Sequence, residues 1–175
     1  MALQFLLEAV VGFFSVLFLL RFFMQAGRVS FANQLGGFVM QLTDWAVKPL
    51  RRMIPGVGGY DWSSLVVAYL LQLLLLVLLV GMAGGLAAMP PGVWLFLLGK
   101  ALLELVRQVV YLFTFALIIA AVLSWVNPYS PLAGPVNQLT RPILAPIQRI
   151  LPPISGIDLA PLLAIVLLQV VLKFL

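Results

Sequence analysis

The chain contains no cysteine and no histidine. The first absence removes disulfides and thiol chemistry, and the second removes every imidazole-based metal or catalytic site. Together they exclude haem ligation of the usual kind. Charge is nearly as scarce, since 9% of the 175 residues are charged and 64% are apolar, where a soluble domain carries roughly 25% and 45–50%. Ten basic and five acidic side chains cannot cover the surface of a water-soluble globule of this length. With a mean hydropathy of +1.19, the composition is that of a membrane protein. No phosphate-binding glycine loop, no Ser–base pair and no carboxylate cluster in a plausible pocket can be found, so neither enzyme activity nor a cofactor or metal is expected.

Four predominantly apolar runs are long enough to cross a bilayer as helices: residues 3–25, broken only by Glu8 and Arg21; 64–86; 102–126, after a Pro90-Pro91-Gly92 break; and 159–175. The last is short, so Lys173 is expected to snorkel to the headgroups, as is Arg21. The first lacks the basic flank and small-residue cleavage pattern of a signal peptide and is expected to remain. An all-α membrane protein with four transmembrane helices follows, with both termini on one side and the first and third loops on the other. Those loops carry Arg28, Lys48, Arg51, Arg52, Arg141 and Arg149, against Lys100, Arg107 and Lys173 opposite. The positive-inside rule puts the two loops in the cytoplasm and both termini outside it. Trp45, Trp62, Trp94 and Trp125 fall near span ends, as an interfacial belt requires. The basic surplus is therefore read as attraction to the bilayer's anionic lipid headgroups, and nucleic acid is not an expected partner.

The chain repeats itself. Leu42-Thr43 through Pro55 matches Leu139-Thr140 through Pro152 at a constant offset of 97, pairing Pro49 with Pro146, Arg52 with Arg149 and Pro55 with Pro152. The offset continues through Gly59 and Gly156, Asp61 and Asp158, Leu65 and Leu162, and Gln72 and Gln169. Each unit is a helix, a basic loop and a second helix: residues 1–86 and 102–175, joined by a connection over 87–101. Two such units in one orientation imply a pseudo-two-fold axis along the membrane normal. Within each loop, about 33–55 and 131–152, apolar residues recur at spacings of three and four, which predicts an amphipathic helix. Leu35, Phe38, Val39, Leu42, Trp45 and Ala46 form the apolar stripe of the first, and Val136, Leu139, Ile143 and Ile147 that of the second. Lys48, Arg51, Arg52, Arg141 and Arg149 form a basic face toward lipid or a protein partner. Pro142 and Pro146 are expected to kink or segment the second copy.

The doubled Leu-Thr-x-x-x-x-x-Pro-x-x-Arg-x-x-Pro followed by Gly-x-Asp, with Leu123-Ser124-Trp125-Val126-Asn127-Pro128 before the second copy, resembles the YggT family of small bacterial inner-membrane proteins. The likeness covers nearly the whole chain. The first copy departs from the pattern at Gln34, Trp45 and Ser64, where the family has proline, so its loop helix is expected to be the more regular. The resemblance implies the bacterial inner membrane and, for bacterial relatives, links to osmotic shock tolerance and to growth or division genes. For plastid relatives it implies cytochrome b maturation and nucleoid distribution, and the haem role transfers poorly to a chain without His or Cys.

Among individual residues, Asp61 and Asp158 precede apolar spans and are expected to cap them, with ion or partner binding as the alternative. Gln72 and Gln169 lie near mid-membrane as symmetry mates. An interhelical hydrogen bond is the expectation there, and a polar site on a solute path the alternative. Glu104 can reach Lys100 and Arg107 on one helix face, and Glu8 is expected to complete that intramembrane network with Arg107. Gly81 and Gly85 make a small-xxx-small face for packing within the chain or for dimerisation. Two functions remain: a non-catalytic adaptor or assembly factor with an unknown protein partner, or a channel or solute pathway that requires a homo-oligomer.

Overall fold

A computed structural model describes residues 1–84, 92–151 and 158–175. Pro152, Gly85 and Gly156 lie outside the described residues. The described residues form six helices in the order α1 (Ala2–Ala26), α2 (Gln34–Leu50), α3 (Trp62–Met82), α4 (Gly92–Val126), α5 (Ala133–Ile150) and α6 (Ala160–Phe174). Among the described residues there is no strand, only an isolated bridge between Val57 and Tyr60.

Three of these helices, α1, α3 and α4, are long and apolar enough to cross a membrane. At about 1.5 Å per residue, the 25, 21 and 35 residues of these helices each exceed a hydrocarbon layer of about 30 Å. The 15 residues of α6 are apolar but span only about 22 Å. Helix α4 starts ten residues before the expected Leu102, so the residues after Gly92 are helical where a connection was expected. The cause is local: Gly92 follows the last proline of the break, and Val93-Trp94-Leu95-Phe96-Leu97-Leu98 offers the helix nothing to stop it.

The loop helices fall where the repeat places them. Asn33 caps α2 by accepting a 2.8 Å hydrogen bond from the Gly36 N–H, the end that a helix leaves unsatisfied. Gly36 is needed there, because a Cβ would meet the Phe31 Cα at 2.5 Å. The expected break in the second copy does not occur, for α5 runs unbroken through Pro142 and Pro146. Both prolines and Gln138 are exposed, so the carbonyls deprived of N–H partners lie on the open side of the helix rather than in the core.

Packing follows the duplication. Helix α1 lies against α3 and α2, and α4 lies against α6 and α5 in the same way; α3 and α1 join the halves through α4. Leu17, Met24 and Val39 of the first half meet Ala116 and Leu139 of the second, and Phe18, Leu19, Val47 and Ala68 meet Leu105 and Leu112. Across the same seam the Ser15 hydroxyl donates to Gln108 Oε1 at 2.6 Å. Outside this core the long helices keep large apolar side chains exposed, among them Phe5, Leu74, Phe115 and Val166, more apolar surface than a soluble monomer shows.

Candidate functional site

The two loop helices are built on one plan. The residues that α2 buries are Gly36, Val39, Thr43 and Val47; α5 buries Ala133, Val136, Leu139, Thr140 and Leu144. Four of these positions correspond at the offset of 97. The buried seam therefore runs along the edge of the apolar stripe rather than down its middle. Phe38 and Trp45, expected to face the bilayer, are 51% and 64% exposed. Each helix is held by the bundle on one side; α2 leaves Phe38 and Trp45 open beside that seam, whereas on α5 the stripe is covered, with Val136 and Leu139 buried and Ile143 and Ile147 half-buried.

Beside α2 lies a buried charge cluster. Arg21 sits in the last turns of α1 and is only 4% exposed, so it does not snorkel as expected. Its Nη1 donates to Thr43 Oγ1 and to Asp44 Oδ1, both at 2.7 Å, and its Nε donates to Asp61 Oδ2 at 3.2 Å. Three polar acceptors within reach remove the need to seek water. Thr43 in turn donates to the Val39 carbonyl. Arg51 closes the cluster from the other side, its Nη2 donating to Asp61 Oδ2 at 2.7 Å and to Gln25 Oε1 at 2.9 Å. Lys48 lies 2.8 Å from Asp44 along α2.

Asp61 is completely buried and stands at the N-cap position of α3, but its side chain makes no capping hydrogen bond. Its carboxylate turns instead to Arg21, Arg51 and the Ser64 hydroxyl. Two guanidinium groups outcompete the backbone N–H groups for it. Burial alone would raise the Asp61 carboxyl, but the hydrogen bonds from Arg51 and Ser64 and the charges of Arg51 and Arg21 outweigh that and hold it below the ordinary carboxylate value. Asp44 is held low likewise, burial being overcome by hydrogen bonds and charge from Lys48 and Arg21. Asp158 differs from its mate. It is half-buried, stands one residue before the N-cap Leu159 of α6, accepts from the Ala160 N–H at 2.9 Å, and accepts from Gln148 Nε2 at 2.7 Å.

The other expected groupings fare unevenly. Of the basic face, Arg51 is consumed by Asp61 and Lys48 is paired with Asp44; Arg52, Arg141 and Arg149 are exposed, and among the described residues they form no ion pair. Pro49, Pro146 and Pro55 are exposed on or after the loop helices. The network of Glu8, Lys100, Glu104 and Arg107 forms only in part. Glu104 and Arg107 pair at 2.9 Å, and Arg107 also donates to the Leu175 carbonyl oxygen. Glu8 is exposed and bonds to Gln4, not to Arg107, because α1 packs chiefly on α3 while Arg107 turns toward α6. Lys100 is exposed and, among the described residues, unpaired. Gln72 is 3% exposed with an Nε2 that has no hydrogen-bond partner among the described residues. Gln169 is exposed, on a helix that has no comparable packing with α3.

The Arg21 cluster went unnoticed in the sequence although the repeat contains its signal. Asp44 becomes Arg141 at the loop offset of 97, and the buried positions of α1 recur on α4 with Ala120 in the place of Arg21, so the two halves of one ion pair vanish together.

Comparison with known proteins fits this two-part chain. The CCB3/YggT family profile matches residues 1–82 and 99–175. An Escherichia coli protein named "Uncharacterized protein YggT" is 35% identical over 97% of this chain and 86% of its own length. A Pseudomonas aeruginosa protein, "Uncharacterized protein PA0392", is 38% identical over 95% and 84%. A Vibrio alginolyticus protein described as lying in the proC 3' region is 36% identical over 96% and 90%. No solved structure matches. With a family profile covering both halves and relatives matched nearly end to end, the chain belongs to the CCB3/YggT family.

Proposed function

We propose that the protein is a non-catalytic, multi-pass protein of the bacterial inner membrane that serves as an adaptor or assembly scaffold. Helices α1, α3, α4 and the shorter α6 cross the bilayer, Lys173 reaching the headgroups from the end of α6. The loop helices α2 and α5 lie on the cytoplasmic face and both termini lie outside it.

The observation that carries this reading is the sidedness of α2 and α5. Each is fastened to the bundle by one buried seam and keeps basic residues exposed, and α2 also exposes Phe38 and Trp45 beside its seam. An apolar stripe flanked by Arg and Lys suits the boundary between acyl chains and anionic headgroups. Arg52, Arg141 and Arg149, which no described acid neutralises, are the groups offered to headgroups and to a protein partner. A role in osmotic tolerance or division is compatible with such a scaffold.

Flotation with vesicles does not test an integral protein, so the test is co-purification. The Arg52→Gln/Arg141→Gln/Arg149→Gln protein should fold and insert normally yet lose a stoichiometric partner that the wild type retains. A partner retained in full by the triple variant contradicts the reading.

A further inference from the structure

The offset of 97 lets each half of the chain show what the other lacks. In the first repeat Arg21 fills the space between Asp61, Asp44 and Thr43. In the second repeat Asp158, Arg141 and Thr140 stand in place of the three acceptors, and the buried positions Ser15, Leu17, Phe18 and Arg21 of α1 recur on α4 as Thr114, Ala116, Leu117 and Ala120, so the buried guanidinium is gone. On the loop helix the long Met40 is replaced by the shorter Asn137. What results is a cavity of about 420 Å³, lined by Ser124, Trp125, Asn137, Arg141, Gln148 and Asp158 with Ala120 and Ala121 beneath them. That volume is ample for a small ligand or a lipid headgroup.

The charges facing this cavity are placed but not matched. Asp61 carries two guanidinium groups. Asp158 accepts only from a side-chain amide and a backbone N–H, and among the described residues neither Asp158 nor Arg141 forms an ion pair. A carboxylate and a guanidinium that line one cavity without pairing call for a ligand that is itself bipolar. We propose that the second-repeat cavity binds a zwitterion of the phosphoethanolamine type, its ammonium on Asp158 in the role Arg21 plays in the first repeat, and its phosphate on Arg141. The guanidinium fork suits phosphate oxygens, and the Asn137 amide and Ser124 hydroxyl that line the cavity are further donors. The cavity lies where α4 ends, where α6 begins and alongside α5, at the level of helix termini, where the polar headgroups of a bilayer lie. A free phosphoethanolamine ester carries the same chemistry. The inference rests on the membrane reading above but not on the adaptor role, and lipid selectivity in purified protein can fail while the partner experiment succeeds.

The test is native mass spectrometry of the purified full-length protein in detergent, titrated with phosphatidylethanolamine, phosphatidylcholine and phosphatidylglycerol of identical acyl chains. Wild type should bind the first phosphatidylethanolamine at least about 10-fold more tightly than the other two, the effect of one charge-assisted contact. Methylation denies phosphatidylcholine the hydrogen bond to Asp158, and phosphatidylglycerol has no cation. Asp158→Asn should abolish the preference. Should that variant not fold, Ala121→Met, which fills the cavity from its α4 wall, carries the same expectation. Competition by soluble glycerophosphoethanolamine would assign the site to the free ester, and a preference indifferent to it would assign the site to the lipid. Equal binding of the three lipids by wild type, or a preference that survives in the folded variant, overturns the proposal.

Discussion

Asp61→Asn offers a quantitative test of how the first repeat is held together. The substitution keeps the size and an acceptor oxygen of a completely buried side chain but removes the charge that faces Arg21 at 3.2 Å and Arg51 at 2.7 Å. Removing one partner of a buried ion pair costs about 3–5 kcal/mol, because the other charge is stranded. Here Arg21 keeps Asp44 at 2.7 Å, and Arg51, 41% exposed, can turn to solvent, so the lower figure of about 3 kcal/mol applies. The matched control is Asp158→Asn, which weakens two hydrogen bonds from neutral donors to a half-buried carboxylate and strands no cation, so it should cost about 1 kcal/mol. Intrinsic tryptophan fluorescence during heating in detergent reads both variants. Asp61→Asn should lower the unfolding temperature by roughly 6–12 °C and Asp158→Asn by roughly 2–4 °C, at the usual few degrees per kcal/mol for a chain of this size. Equal shifts, or a larger one for Asp158→Asn, would refute the claim that the charge cluster holds the first repeat.

The same cluster sets a pH dependence. Asp61 and Asp44 are held below their ordinary values, so the unfolded chain binds more protons in acid; stability is complete above about pH 4 and is lost as pH falls through the lower folded values. Asp61→Asn should flatten that acid limb in a series of melting curves, and a limb as steep as wild type would contradict the assignment. Gln72→Leu should be neutral or stabilising by up to about 1 kcal/mol, since it removes a buried amide with an unpartnered Nε2; a clear loss of stability would reveal a bond that the fold does not show. Gly36→Ala should destabilise by about 1–3 kcal/mol, as its Cβ would press into the Phe31 backbone, while Gly37→Ala, with nothing within 4 Å, should be tolerated. Similar melting temperatures for the two would count against the tight turn before α2.

How much of this could be read beforehand depends on what kind of pattern each feature leaves. The loop helices were legible as elements, because the duplication marks them twice and their apolar spacing alternates with polar residues, although α2 ends at Leu50, short of the expected residue 55. The rotational setting of α1 and α3 was not. Both are apolar nearly all round, and a helix without a polar face gives no clue to which side meets a neighbour. Glu8 was therefore assigned to Arg107 on depth alone, although depth places two charges at one level without placing them on facing sides. Arg21 was misjudged for the opposite reason: a cation near the end of an apolar helix usually reaches for water, and its acceptors Thr43, Asp44 and Asp61 lie 22 to 40 residues away in sequence. The displaced seam of α2 has a third cause. Small and hydroxyl-bearing residues, Gly36 and Thr43, permit close approach to the bundle, so the helix is held along its narrow edge and Trp45 stays outside.

The central claim, that this is a scaffold rather than a conduit, is tested most directly by extracting the protein from native membranes without detergent and measuring the mass and composition of the complex that contains it. The account predicts a second protein in fixed stoichiometry, lost when Arg52, Arg141 and Arg149 are neutralised together. A complex made only of copies of this chain, with ion or solute flux in liposomes that disappears in the Gln72→Leu/Gln169→Leu protein, would contradict it.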